Sequence, residues 1–107
     1  MQPKITFRSM EHSRALENLA IEKLHKLERF LTNHTPYSVD LVFEAHKTHQ
    51  YSIVELRVQT GAFHLIAQDE GPDIYKLIDS VIAKMKRELA KAKDKMVTHA
   101  HGKMHGK

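Results

Sequence analysis

The sequence predicts an α+β fold of element order β-α-β-β-β-α, with one four-stranded sheet and two helices packed on one face of it. Two stretches repeat apolar residues at steps of three and four, the period of an amphipathic helix. Four other stretches alternate apolar and polar residues, the period of a half-buried strand. Because 107 residues suffice for one core but not for two, we expect one domain over residues 1–96, followed by a tail.

The first strand and the first helix fall in the amino-terminal third of the chain. Ile5 and Phe7 alternate with polar neighbours and predict a short strand. Ser13 is a plausible N-cap for the helix RALENLAIEKLHKLERFL. The helix should end before residues 33–36, because proline disfavours helical geometry in the residue that precedes it. Its apolar face consists of Leu16, Leu19, Ala20, Leu24, Leu27, Phe30 and Leu31.

Three further strands with short connections predict an antiparallel meander. Residues 37–46, 52–60 and 62–69 each alternate apolar and polar side chains, and Thr60-Gly61 offers a turn between the last two. The apolar faces of these strands need a cover, and the two amphipathic helices can supply it.

The last helix is predicted over residues 71–96, with Pro72 in its first turn and Asp73 complementing its dipole. Its apolar stripe is Ile74, Ile78, Val81, Ile82, Met85, Leu89, Ala92 and Met96. Residues 97–107 have no apolar period, so we expect a flexible, basic, His-rich tail there.

Composition narrows the class of protein. The chain has no cysteine, which removes disulfides, thiolate metal sites and a cysteine nucleophile. It lacks a run of 18 apolar residues and an apolar amino terminus, so we expect a cytoplasmic protein without a membrane span.

Positive charge is concentrated at one end of the chain. Residues 83–107 contain eight Lys or Arg and two Asp or Glu, whereas residues 1–82 contain nine and eleven. A field that is concentrated on one element can hold a polyanion, because the same charges interspersed with acids would largely cancel.

Four cations of the last helix form the candidate binding surface, which we call the basic stripe: Lys84, Arg87, Lys91 and Lys95. The alternative interpretation is a solvated face that only keeps the protein soluble. Three cations of the first helix form a shorter row, which we call the first-helix row: Lys23, Lys26 and Arg29. If the helices lie side by side, the stripe and the row border one groove, which would suit double-stranded or compactly folded RNA.

Two other residues flank this predicted surface. Arg8 lies at the end of the first strand. Tyr75 lies one turn into the last helix, where its ring either packs on the sheet or contacts a base or ribose.

The sequence offers no organised catalytic site. No P-loop, GxGxxG, HExxH or GxSxG motif occurs, so we expect no enzyme and no cofactor. His46 and His49, and the set His99, His101 and His105, have workable ligand spacings. The pair falls in a predicted loop and the set in the predicted tail, and we therefore expect no metal site.

The stretch EGPDIYKLID, followed by AKMKRELAKAKDKM, resembles the last helix of the ribosome hibernation-promoting and ribosome-associated inhibitor proteins, the S30EA or sigma-54 modulation family, in its short form. The resemblance covers residues 1–96. The matching positions are Gly71, Asp73, Tyr75, Ile78, Asp79, Lys84, Arg87, Lys91, Lys93 and Lys95 in the last helix, with Leu16, Lys23, Lys26, Leu27 and Glu28 in the first.

This resemblance implies a domain similar to the double-stranded-RNA-binding fold that lies in the decoding channel of the small ribosomal subunit. It would block mRNA and tRNA binding and inactivate translation in stationary phase or stress, without catalysis. The implied partners are the small ribosomal subunit, its rRNA and the 70S ribosome, which either stays a monosome or joins a ribosome dimer with a second hibernation factor. We expect the free protein to be a monomer. The alternative is a protein-binding regulator, such as a modulator of sigma-54 transcription.

Overall fold

The computed structural model describes the backbone of residues 1–104 and the side chains of residues 1–93. The strands are β1 (Lys4–Arg8), β2 (Tyr37–His46), β3 (Tyr51–Thr60) and β4 (His64–Gly71), and the α-helices are α1 (Arg14–Leu24), α2 (Glu28–Leu31) and α3 (Ile74–Met104). Short 3₁₀ turns occupy His25–Leu27, Thr32–His34 and Lys47–His49. The predicted element order is therefore confirmed.

The four strands form one mixed sheet in the order β1-β2-β3-β4. β2, β3 and β4 are antiparallel neighbours, as the meander predicted, with Leu41 opposite Leu56 and Leu56 opposite Ala67. β1 pairs with β2 in parallel, with Ile5 opposite Leu41. A parallel pair needs a crossover connection, and the helical segment between β1 and β2 provides it.

The core lies between the helices and one face of the sheet. Alternate strand residues point towards the helices, and Leu41, Phe43 and Leu56 are among those that are fully buried there. Within residues 1–93 every buried side chain is apolar. The other face of the sheet, which we call the open face, carries no helix of the described chain, and residues such as Arg57 and Ile66 are exposed on it.

The first helical segment differs from the single helix that the sequence predicted. Ser13 caps α1 as expected, because its hydroxyl accepts a hydrogen bond from the backbone N–H of Leu16 (3.2 Å). A 3₁₀ turn then separates α1 from α2, while Leu24, just before the turn, and Leu27, its last residue, stay buried. The chain leaves the helical region at Thr35, which is extended as expected for a residue before proline.

The last helix begins later than predicted and continues further. Asp73 is its N-cap, since the carboxylate accepts hydrogen bonds from the backbone N–H groups of Tyr75 (3.0 Å) and Lys76 (3.4 Å). Pro72 therefore precedes the helix instead of lying in its first turn. The α-helix continues beyond Met96 to Met104, whereas the sequence predicted the start of a tail at residue 97. The side chains of residues 97–107 lie outside the described residues, so the predicted flexibility of this segment stays a prediction.

Candidate nucleic-acid interface

The exposed part of α3 carries cations on two different sides. Lys86 and Arg87 are consecutive residues, so their side chains leave the helix axis about 100° apart. Lys93 follows Lys86 after seven residues and lies on the same side, whereas Lys84 and Lys91 lie on the side of Arg87. One side faces α1 and α2, and the other faces the edge strand β4.

The basic stripe lies on the β4 side of α3. The ammonium group of Lys84 donates a hydrogen bond to the carbonyl oxygen of Gln68 (3.0 Å) and lies 3.6 Å from a carboxylate oxygen of Asp69. The hydroxyl of Ser80 donates a hydrogen bond to the same carboxylate oxygen of Asp69. Hydrogen bonding from Ser80 is the main cause that lowers the pKa of Asp69, and the charge of Lys84 lowers it further. Lys84 is thus held against the sheet.

The remaining members of the basic stripe differ in their surroundings. Arg87 is exposed. The ammonium group of Lys91 lies 3.7 Å from a carboxylate oxygen of Glu88, one turn away on the same helix. The side chain of Lys95 lies outside the described residues, so its part in the stripe stays a prediction from spacing.

A cleft between the two helical segments gathers cations from both. We call it the interhelical groove, and it has a volume of about 300 Å³. Its lining residues are His25, Lys26, Arg29 and Lys86. Lys26 and Arg29 of the first-helix row therefore border a groove with α3. The cation that α3 contributes to this groove is Lys86 and not a residue of the basic stripe, so only part of the predicted arrangement is observed.

Lys86 was missed because the sequence alone does not reveal which side of α3 faces the first helical segment. The sequence contains one signal for it, a seven-residue spacing. Lys86 and Lys93 are seven residues apart, and Asp79 precedes Lys86 by another seven, which places an acid on the same side. Asp79 pairs with Lys23 of α1, and this ion pair fixes the side of α3 that faces α1.

The two surfaces differ in how far their cations are neutralised. Lys84 and Lys91 lie beside carboxylates, and so does Lys23 of the first-helix row. Lys26, Arg29 and Lys86 have no carboxylate partner within residues 1–93. Among the side chains of residues 1–93, the interhelical groove therefore has the larger uncompensated positive charge.

Glu28, an acidic residue near the groove, already has two partners. His25 hydrogen-bonds to a carboxylate oxygen of Glu28 (2.7 Å), and the amino terminus of Met1 lies 3.6 Å from the same oxygen. The hydrogen bond with His25 is the main cause that lowers the pKa of Glu28, and the amino-terminal charge lowers it further. Glu28 therefore interacts with these two groups and not with Lys26, Arg29 or Lys86.

The structure separates Arg8 from the other predicted residues. Arg8 pairs in register with Glu44 of β2 and lines a shallow depression with Ile53 and Glu55 on the open face. This face is opposite to the helices, so Arg8 does not flank the basic stripe, and the expectation that it does is corrected. Its strand position caused the error, because residues alternate between the two faces of a sheet.

Tyr75 lies on the groove side of α3, four residues before Asp79. It is 51% exposed, so about half of its surface is open to solvent. Between the groove side and the basic stripe, α3 presents the small exposed residues Ala83 and Ala90. Small side chains therefore separate the two sets of cations.

Two further properties concern the described part of the chain. Within residues 1–93, no three His, Cys, Asp or Glu side chains come close enough to hold a metal ion. His99, His101 and His105 lie outside that range. None of the described helices combines the length and the apolar character that crossing a membrane would require.

The sequence is similar to that of a known protein family. The family model of the sigma 54 modulation protein / S30EA ribosomal protein matches residues 4–97. The chain belongs to this family. A relative from Klebsiella oxytoca, named ribosome hibernation promoting factor, is 35% identical over 99 residues, which cover 92% of this chain and 100% of the relative. The resemblance inferred from the last helix is thereby confirmed.

Solved structures confirm the fold of this S30EA family member. A ribosomal subunit interface protein from Coxiella burnetii superposes with a TM-score of 0.76 at 26% identity, covering 88% of this chain and 99% of that one. The amino-terminal domain of Protein Y from Thermus thermophilus gives a TM-score of 0.72 at 18% identity, covering 85% and 98%. The described β-α-β-β-β-α domain is therefore shared with both.

Proposed function

We propose that this protein is a ribosome hibernation factor that binds the small ribosomal subunit with its interhelical groove against ribosomal RNA. In that position it blocks the channel in which mRNA and tRNA bind, and translation is inactivated in stationary phase or stress. Membership of the S30EA family and the name of the Klebsiella oxytoca relative support a hibernation role. The 70S ribosome is the proposed target particle, and the free protein is proposed to be a monomer.

The observation that carries the proposal is the convergence of Lys26, Arg29 and Lys86 on one groove without a carboxylate partner in residues 1–93. Cations that face each other across a cleft repel, so the arrangement is favoured when an anion lies between them. Phosphates of RNA supply such anions in a row. The planar guanidinium of Arg29 can donate two parallel hydrogen bonds to one phosphate.

The groove is better suited to a folded RNA, recognised by its shape and phosphates, than to a nucleic acid that is recognised by its base sequence. Long cationic side chains contact phosphates without distinguishing bases, and RNA helices are recognised mainly by shape, phosphates and 2′-hydroxyls. The exposed residues Tyr75, Ala83 and Ala90 extend the contact surface along α3. The basic stripe is the second, weaker part of the same surface in this proposal.

The test is sedimentation of purified ribosomes with a triple variant, Lys26→Ala, Arg29→Ala and Lys86→Ala. We expect the affinity at physiological salt to fall about a hundredfold, because each lost phosphate contact removes the release of counterions. Inhibition of translation in a purified system should weaken in parallel. Folding should survive, because these side chains are not part of the core and such surface changes cost about 0.5 kcal/mol or less each.

The matched control removes the same charge elsewhere, with Lys4→Ala, Arg14→Ala and Lys47→Ala at exposed positions outside the groove. It should retain most of the affinity. If the control weakens binding as much as the triple variant, only net charge matters and the groove is not the binding surface. If neither variant changes ribosome binding, the protein acts through a protein contact, as a sigma-54 modulator would.

A further inference from the structure

A second, more enclosed cleft adjoins the interhelical groove. It lies where the end of α2 and the following 3₁₀ turn meet the β3–β4 turn and α3, and its volume is about 100 Å³. We call it the aromatic cleft. Arg29 lines both the aromatic cleft and the interhelical groove, so the two adjoin at this residue.

Aromatic and apolar side chains form the walls of the aromatic cleft: Phe30, Phe63 and Leu89. The rings of His34 and Phe63 meet edge to face, with centroids 5.2 Å apart and planes at 65°. The guanidinium carbon of Arg29 lies 4.9 Å from the centre of the Phe30 ring. Such surfaces accept a flat aromatic ligand, because every base has a π-face that stacks on rings and on guanidinium planes.

The position of Phe63 is fixed by its own turn. The backbone N–H of Phe63 donates to the hydroxyl of Thr60 (3.1 Å), and its carbonyl accepts from the backbone N–H of Thr60 (2.9 Å). Phe63 is half-buried and packs against the core. The ring is therefore held in place before a ligand arrives, which reduces the entropy that binding would cost.

Polar groups complete the aromatic cleft. Arg29 and Lys93 supply two positive charges, and the side chain of Asn33 supplies both a donor and an acceptor. A flat apolar ring next to a negative charge, with donors and acceptors on its edge, matches this set. A nucleotide has these features, since its base stacks, its edge hydrogen-bonds and its phosphate is anionic.

We propose that the aromatic cleft takes one unpaired base of the RNA whose phosphates lie in the interhelical groove. This inference rests on the proposed function, because it requires RNA in the groove. Arg29 links the two parts, with its plane beside the base and its donors towards the phosphate. The adjacency of the two clefts at Arg29 favours a nucleotide within an RNA chain over a free nucleotide.

The test compares two short RNA duplexes with equal numbers of phosphates. In one, a central adenine faces an abasic residue and is unpaired, and in the other the same adenine faces uridine. We expect the unmodified protein to bind the unpaired duplex about tenfold more tightly, in the range that stacking of one base supplies. Phe63→Leu should abolish this preference while keeping an apolar side chain. Lys26→Ala should weaken both duplexes equally and keep the preference.

A second measurement does not depend on a variant that folds. In titrations of the isotope-labelled protein, the side-chain amide of Asn33 and the backbone amide of Phe63 should shift with the unpaired duplex and stay in place with the paired one. Equal affinity for the two duplexes, with strong salt dependence, would contradict the aromatic cleft and leave the groove in place. Salt-independent or absent binding of both would contradict the proposed function itself.

The same titration with adenosine monophosphate distinguishes the source of the base. If it shifts the two amides at the concentrations at which the unpaired duplex does, the cleft binds free nucleotides and the proposal is wrong. If an acidic peptide displaces the unpaired duplex from the cleft more effectively than the paired duplex does, the occupant is a protein segment, and the proposal is again wrong.

Discussion

Asp69 is the residue that ties the basic stripe to the sheet. It lies on the helix-facing side of the edge strand β4, where Ser80 and Lys84 of α3 reach it. The sequence showed it only as the polar end of an alternating strand. Its role depends on where α3 crosses β4, and this information is not contained in strand periodicity.

The first prediction concerns the pH dependence of this contact. The folded-state pKa of Asp69 is lowered, so its contribution to stability is complete above the unfolded-state pKa, about 4, and is lost as the pH falls through the folded-state pKa. Asp69→Asn should therefore lower the urea midpoint at pH 7, and the difference from the unmodified protein should shrink in the acid range below about pH 4.

The control is Glu70→Gln, which removes a charge from the exposed neighbour and should change the urea midpoint little at either pH. A deficit of Asp69→Asn that is equally large at pH 7 and in acid would show that the ionised carboxylate of Asp69 does not stabilise the fold.

At the scale of elements, periodicity predicted most of the secondary structure. β2 spans Tyr37–His46 as predicted, because its alternation is unbroken and one of its faces is buried. The 3₁₀ turn inside the first helical segment was not predictable, because Leu24, Leu27 and Leu31 fit a continuous helix as well as an interrupted one. Helix ends depend on caps, and the cap at Asp73 was recognised only as a favourable charge.

The cap of α3 leads to the second prediction. Asp73→Ala removes the acceptor for the N–H groups of Tyr75 and Lys76 and should cost about 1 kcal/mol of stability. For a domain of this size, that is a fall in Tm of roughly 4–8 °C, measurable by circular dichroism. Asp73→Ser should restore most of the loss, because serine also caps. If Asp73→Ser is as unstable as Asp73→Ala, the loss comes from charge and not from the cap.

At the scale of the whole molecule, the architecture was predictable and the site only in part. The amphipathic periods require two helices on one sheet face, so the fold follows from the pattern. The grouping of cations does not follow from it, because Lys86 and the basic stripe differ only by rotation about α3. Phe63 and Asn33, which lie in separate turns, meet only in the folded chain.

The packing of the helices explains why the groove keeps more positive charge than the stripe. Packing α1 against α3 through Lys23 and Asp79 brings Lys26 and Arg29 close to Lys86. The contact with β4 instead compensates Lys84. The interhelical groove therefore keeps its positive charge, whereas carboxylates partly neutralise the basic stripe.

The most direct test is the slope of log affinity for ribosomes against log salt concentration, measured for two variants with equal charge loss. Lys26→Ala with Arg29→Ala and Lys86→Ala should reduce the magnitude of the slope by about 2–3, at roughly 0.7–0.9 per phosphate contact. Lys84→Ala with Arg87→Ala and Lys91→Ala should reduce it less, because two of these cations already have carboxylate partners. An unchanged slope for the groove variant, with a full loss for the stripe variant, would contradict the account.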